Sequence, residues 1–338
     1  MTGHDDDARQ RPSARLRAGL LAAAAATALL AVTGAGSPAS AAPAPGRAAA
    51  AGGYLYWSNT IGSITKPGDG MIVRARLNGT DVNQKFITGA SLPGMILVYR
   101  GYLYWTNIEP LRNGAGTIGR ARVNGTDVNQ KFITGATIPG GITAAGGYLY
   151  WTNHTGTIGR ARLDGTDVNQ KFIKTAQPNG PDAVVAGSGH LYWANDYNIG
   201  RANLNGTGVN QNFIADPKGG PAGLAVNACY IYWTNEYHNT IGRARLNGTG
   251  VNQKFITGAS FPDAIAASSR YLYWTNAAVG GNPNRRAIGR ARLNGTDVNQ
   301  RFVARKDFVN LHGVAVGPGR RLPGQPGSGR TLHGRPSG

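Results

Sequence analysis

The chain alternates apolar and polar positions with the period of a β-strand, and it does so in units. In Tyr148-Leu149-Tyr150-Trp151-Thr152-Asn153, successive side chains point to opposite faces, so Leu149 and Trp151 share one face and Tyr148 and Tyr150 the other. Both faces are apolar, which predicts a sheet covered on both sides. The run Ile158-Gly159-Arg160-Ala161-Arg162-Leu163 follows, and then Lys171-Phe172-Ile173. A short run after a proline, at residues 94–98, 140–145, 182–186, 222–226 and 263–267, opens each following unit. Each unit therefore reads as four strands: the post-proline run is strand one, the aromatic run strand two, the Ile-Gly-Arg run strand three and the Lys-Phe-Ile run strand four.

The chain's only tryptophans, Trp57, Trp105, Trp151, Trp193, Trp233 and Trp274, close the six aromatic runs at spacings of 48, 46, 42, 40 and 41 residues. One such unit is a small sheet that cannot bury both faces alone, so a period near 40 predicts a radial array in which neighbours cover each other. Asn-Gly after strand three marks a tight turn, because both residues tolerate positive φ. Asn-Gly-Thr at Asn78, Asn124, Asn205, Asn247 and Asn294 also spells a glycosylation sequon. Asp164 stands at that position in the third unit, so the requirement is turn chemistry rather than an amide to modify.

Tyr-Trp-Thr-Asn followed by Ile-Gly-Arg-Ala-Arg-Leu-Asn-Gly, at this period, resembles the YWTD repeat, the class B repeat of the low-density lipoprotein receptor. The resemblance runs from Tyr54 to about Gly317 and implies an all-β, six-bladed β-propeller of four-stranded antiparallel blades. One departure is consistent: the fourth motif position, Asp in the family name, is Asn59, Asn107, Asn153, Asn195, Asn235 and Asn276 here. An amide keeps a hydrogen-bonding role and loses any role that needs a carboxylate. The cysteine-rich modules that flank the receptor propellers are missing, so receptor-style endocytosis does not transfer. By phase, strands two to four of the first blade are N-terminal, and Leu311 to Val316 is a strand one with no strand two after it, which predicts that it completes the first blade. The competing donor is the chain just before Tyr54, where Ala48 and Ala49 are poorer strand formers than Val314 and Val316.

Of 338 residues, 41% are hydrophobic, enough for a sizeable core in one repeat domain at residues 54–317. Arg9, Arg11, Arg15 and Arg17 precede an apolar stretch ending in Ala39-Ser40-Ala41, the pattern of an export signal over residues 1–41, with an uncleaved signal anchor as the alternative. Its Ala-, Arg- and Gly-rich composition reads as bacterial, and cleavage predicts a secreted chain with no remaining membrane span. Residues 42–53 read as a linker and 318–338, rich in Pro, Gly and Arg, as a flexible basic tail. Cys229 is the single cysteine, so no internal disulfide forms, and it is expected to be a half-buried, inert thiol.

The formal net charge is +19. Most of it is written into the repeat: paired strand-three arginines such as Arg160 and Arg162, and Lys85, Lys131, Lys171, Lys254 and Arg301 on strand four. These predict a basic belt around the rim, drawn to anionic cell-envelope polymers. Export and the lack of a nucleic-acid motif argue against nucleic acid. The alternative is a solvated rim whose arginines pair locally with Asp81, Asp127, Asp167 or Asp297.

The segment from the motif Asn to the Ile of strand three holds 12, 10, 4, 3, 5 and 11 residues in the six units. Ring closure makes the sixth, first and second units neighbours, so the long loops cluster on one face. Lys66, Asp69, Glu109, Arg112, Asn282, Arg285 and Arg286 in that cluster are the candidate binding residues for a protein partner or an anionic wall polysaccharide. The expected function is thus a non-enzymatic binding module without a cofactor. The alternative is a metal-assisted hydrolase or lyase, lactonase-like, at the channel mouth. There strand one opens with Gly94, Gly140, Asp182, Ala222, Asp263 and His312, and Asp182, Asp263 and His312 would serve as an acid–base set or hold a divalent metal. No Ser-His-Asp elbow, H-E-x-x-H motif, phosphate loop or cysteine metal pattern appears.

Overall fold

The computed structural model describes residues 53–60, 68–109, 114–176, 180–215, 220–277, 286–305, 308 and 310–317. The export signal, the linker up to residue 52 and the tail lie outside these residues. The first blade holds β1 (Tyr54–Thr60), β2 (Gly70–Arg76) and β3 (Asn83–Ala90). The second holds β4 (Pro93–Tyr99), β5 (Tyr102–Ile108), β6 (Ala115–Arg122) and β7 (Asn129–Thr137), and the third β8 (Pro139–Ala145), β9 (Tyr148–Asn153), β10 (Thr157–Arg162) and β11 (Asn169–Lys174). The fourth is β12 (Ala183–Gly187), β13 (His190–Ala194), β14 (Asn198–Asn203) and β15 (Asn210–Ala215), and the fifth β16 (Pro221–Val226), β17 (Tyr230–Asn235), β18 (Thr240–Arg245) and β19 (Asn252–Ile256). The sixth is β20 (Pro262–Ala267), β21 (Tyr271–Asn276), β22 (Ala287–Arg292) and β23 (Asn299–Val303), after which β24 (Asn310–Gly317) returns to the first. Every sheet is antiparallel, and among the described residues there is no helix.

Strand one of each blade packs against strand one of the next, and β20 meets β24, which meets β4, so the ring is closed. β24 pairs with β1 from Tyr54↔Gly317 to Thr60↔Asn310, completing the first blade as the repeat phase predicts. The chain is a six-bladed β-propeller.

The two-faced aromatic strand explains the ring. Leu149 and Trp151 pack with Tyr104 and Ile118 of the second blade, whereas Tyr150 packs with Leu191 and Trp193 of the fourth. Burying one such side chain contributes about 1.5–3 kcal/mol. In the second to sixth blades the Trp lies on the glycine of strand three, where the first blade has Val73 opposite Trp57: a Cβ on Gly159 would stand 2.4 Å from Trp151 Cε2. Trp151 Nε1 donates to Gln170 Oε1 at 3.0 Å, and Gln170 Nε2 donates to Thr134 O of the preceding blade at 2.9 Å. The motif asparagine completes this lock. Asn153 Nδ2 donates to Gln170 O at 2.9 Å and its Oδ1 accepts from Thr137 N at 3.0 Å. A carbonyl can only accept, so an ionised carboxylate could not replace the amide there, which accounts for the Asn in the second to sixth units, where the same donation is made.

A hydroxyl ties blade to blade beside this lock. Thr234 Oγ1 accepts from Gly223 N of its own blade at 2.7 Å and donates to Asp263 O of the next at 2.6 Å. Ser58 does the same with Gly313 N and Gly94 O, both at 2.8 Å. The fourth blade has Ala194 at this position and lacks the link.

On the outer edge, strand four carries an exposed Lys or Arg in five blades, and its register against strand three slips in every blade. Charge and irregularity at an edge strand suppress pairing with other molecules. The Asn-Gly-Thr turn is structural as expected: Asn78 Oδ1 accepts from Thr80 N at 3.1 Å, and Asp164 Oδ1 does so from Thr166 N at 2.9 Å. One expectation is corrected. Cys229 is exposed rather than half-buried, because the turn after β16 spends its backbone on Asn227 and Leu246 and turns the thiol outward.

Gly159→Ala should lower stability by about 3 kcal/mol, since the added methyl overlaps the indole; thermal or denaturant unfolding reads this. Thr234→Val leaves a buried N–H and a buried C=O unpaired and should cost about 2 kcal/mol or more by the same measurement. Burial pushes the hydroxyls of Tyr56 and Tyr273 up to about 12, from an unfolded value of 10.0. A raised folded-state pKa gives stability that is complete below the unfolded value, so melting temperatures should hold below pH 10 and fall between pH 10 and 12.

Candidate functional site

Strand two ends, and strand one begins, at the same end of the ring, so the residue after each motif Asn lies beside the residue that opens strand one of the next blade. The first set is Thr60, Ile108, His154, Asp196, Glu236 and Ala277, and the second is Gly94, Gly140, Asp182, Ala222, Asp263 and His312. Ionisable side chains from both sets fall on the third to sixth blades and, through His312, the first. Glycine, alanine, threonine and isoleucine fill the rest.

Two histidine–carboxylate pairs bridge blades here. His154 Nε2 of the third blade lies 3.3 Å from Asp182 Oδ1 of the fourth, with side chains 9% and 14% exposed. His154 Nδ1 stands 2.8 Å from Ile138 O and must carry a hydrogen toward it. Asp196 sits nearby; burial first, and the charge of Asp182 second, hold its carboxyl above the usual carboxylate range, while His154 acts the other way. On the far side, His312 Nδ1 lies 3.2 Å from Asp263 Oδ2, with the imidazole 50% and the carboxylate 10% exposed. The buried carboxylate orients the ring and leaves Nε2 as the acceptor on an exposed edge.

The expected set of Asp182, Asp263 and His312 is therefore not one constellation. Asp263 and His312 come together, and Asp182 takes His154 instead. Among the described residues no three His, Cys, Asp or Glu side chains are grouped to hold a metal ion. His154 and Asp196 did not stand out in the sequence; the signal that finds them is the offset linking the residue after the motif Asn to the next strand one.

Of the candidate binding residues, Lys66, Arg112, Asn282 and Arg285 lie outside the described residues. Asp69 precedes β2, Glu109 follows β5 and Arg286 precedes β22, all half-buried at this same end on adjoining blades. Arg286 Nη1 donates to Phe308 O at 3.3 Å, and burial holds its guanidinium below the usual arginine range.

The basic rim divides in two. The outer arginines Arg76, Arg122, Arg162 and Arg292 pair with Asp81, Asp127, Asp167 and Asp297, which cancels their charge locally. These aspartates hold the left-handed corner of the turn at φ of 53–59°, where the fourth and fifth blades use Gly208 and Gly250. The inner arginines instead stack on aromatic rings, Arg160 lying 4.4 Å from the Tyr148 centroid and 4.0 Å from that of Phe172.

Asp196→Asn removes a carboxylate whose ionisation opposes folding. The variant should gain melting temperature over the parent at neutral pH, and the gain should shrink as the pH falls and Asp196 takes up its proton.

No protein-family model matches the chain. No curated protein matches it either. Among solved structures it is similar to a chain of a nidogen/laminin complex, with 20% identity over 79% of this chain and 98% of that one and a TM-score of 0.62. It is similar to virginiamycin B lyase from Staphylococcus aureus, with 20% identity over 77% of this chain and 92% of that one and a TM-score of 0.52. A streptogramin B lyase structure matches at 16% identity over 78% and 91% of the two chains, with a TM-score of 0.51. At these identities the likeness is one of fold. In fold, the chain is a six-bladed β-propeller, and its Tyr-Trp-Thr-Asn runs resemble the YWTD repeat.

Proposed function

We propose that the protein is a secreted, non-enzymatic binding module that recognises a protein partner with the loop-bearing end of its ring. The observation that carries this reading is the contrast between the ends: the Asn-Gly-Thr turns repeat almost unchanged, while the connections at the other end vary in length and chemistry. Rigid strands presenting irregular loops are the usual construction of a recognition surface. The similarity to a chain of a nidogen/laminin complex supports a protein partner.

The reading is tested with a photo-reactive amino acid placed at Glu109 or Arg286 of the secreted protein in cultures of the producing organism. These positions should capture one discrete protein, and the same probe at Asn124 on the opposite end should not. Capture of the same protein only from Asn124 would overturn the reading.

Acid–base chemistry at the channel mouth is the second reading, favoured by the Asp263–His312 pair and by similarity to two lyase structures. It predicts turnover of cyclic ester probes that is lost in His312→Gln. Turnover unchanged by that substitution would sink it.

A further inference from the structure

We propose that the turn end of the ring, opposite the loops, carries repeated oxyanion-binding clefts at the blade junctions that together hold an acidic polysaccharide. The cleft between the fifth and sixth blades is the type. It encloses about 570 Å³ and is lined by Arg243, Tyr230, Tyr232, Ser269 and Asn294 among others. The Arg243 guanidinium lies between two rings, 4.5 Å from the Tyr230 centroid and 4.0 Å from that of Phe255. Clamped on both faces, it offers its donors only at its edge and has little rotamer freedom left to lose on binding. Its Nε is buried without a hydrogen-bond partner, as are those of Arg160, Arg201 and Arg290. Among the described residues no carboxylate pairs with these inner arginines, in contrast to the outer ones.

The arrangement recurs because the repeat builds it. Arg74, Arg120, Arg160 and Arg290 are clamped by the equivalent Tyr and Phe, and Arg201 by Phe213 alone, since His190 replaces the tyrosine. At each junction the Asn-Gly turn of the next blade rests on that Phe. A Cβ on Gly295 would stand 2.9 Å from Phe255, and one on Gly125 3.0 Å from Phe86. Tyr232 and Tyr150 hydroxyls donate to the next blade at Leu293 O and Leu204 O, at 3.4 and 3.0 Å.

A guanidinium edge beside hydroxyl and amide groups suits a sulfate or carboxylate on a sugar ring. The ring faces are already covered by the arginines, so no platform is left on which nucleic-acid bases could stack. A single cleft is shallow and weak. Equivalent clefts on one rigid end convert weak sites into a tight grip on a polymer that repeats its charge. One cleft differs: Asp164 borders the cleft of Arg120 where the others have Asn, placing a carboxylate against the anion.

That natural exception supplies the test, because Asp164 makes the same turn with the same hydrogen bonds as the asparagines. Affinity for heparin, a sulfated polysaccharide, is measured for three variants of the secreted protein. The first carries Asn→Asp at positions 78, 124, 205, 247 and 294. The second is matched in charge change, with Ala at Lys85, Lys131, Lys171, Lys254 and Arg301 on strand four. The third is Asp164→Asn. The first should bind at least about tenfold more weakly than the parent at moderate salt, with an unchanged melting curve. The second should lose less than about threefold, and the third should bind more tightly. Equal losses in the first two variants would mean that net charge alone is at work and overturn the clefts. So would parental affinity in the first variant. Duplex DNA bound as tightly as heparin would overturn the polysaccharide assignment.

Discussion

An indole lying on a glycine sets the spacing of this molecule. Trp151 sits where any side chain at Gly159 would be, its nitrogen bonded to Gln170, and Gln170 in turn reaches the backbone of the preceding blade. The same lock is made by Trp105 with Gln130 and Trp274 with Gln300. Because one face of strand two carries Leu and Trp and the other Tyr, each blade is complete only when a neighbour lies on either side. The ring is the arrangement in which no such face is left open, and it stands without a disulfide.

With the scaffold fixed by repetition, the two ends of the ring differ in kind. At the loop end, deviations from the repeat accumulate: the histidine–carboxylate seams His154–Asp182 and His312–Asp263, and the long connections of the sixth, first and second blades. At the turn end the repeat is nearly strict, and what it multiplies is a guanidinium clamped between rings. Charge that looks uniform in the sequence is sorted by structure, the outer arginines cancelled by aspartates and the inner ones left as cations.

The repeat made blade number, strand order and ring closure legible, because the phase of the tryptophans and the unpaired run at 311–316 leave one topology. The two faces of strand two followed from simple alternation, and Asp164 was enough to identify the Asn-Gly-Thr turns. Side-chain partnerships across blades were less legible. Asp182, Asp263 and His312 occupy equivalent positions, yet only Asp263 and His312, on adjoining blades, pair with each other, while Asp182 takes His154, a residue that follows a motif Asn. Stacking of the inner guanidinium groups on aromatic rings was also hidden, since it depends on a Phe 12 residues ahead and a Tyr 12 to 20 residues back, brought together by sheet register. Cys229 misled because it stands next to the half-buried Tyr230 at the start of the aromatic strand, while its own position is the outside of a turn.

The first blade is assembled from both ends of the domain, with Tyr54 opposite Gly317. Closing a loop of that span costs about 1.7 kcal/mol more chain entropy than closing one blade of about forty residues. During synthesis β1 waits with an open edge until β24 emerges, and any second copy with a free β24 offers that edge an identical mate. The device that seals the monomer is therefore also the element through which two chains would exchange strands, so strand-swapped dimers are the characteristic misassembly of this ring.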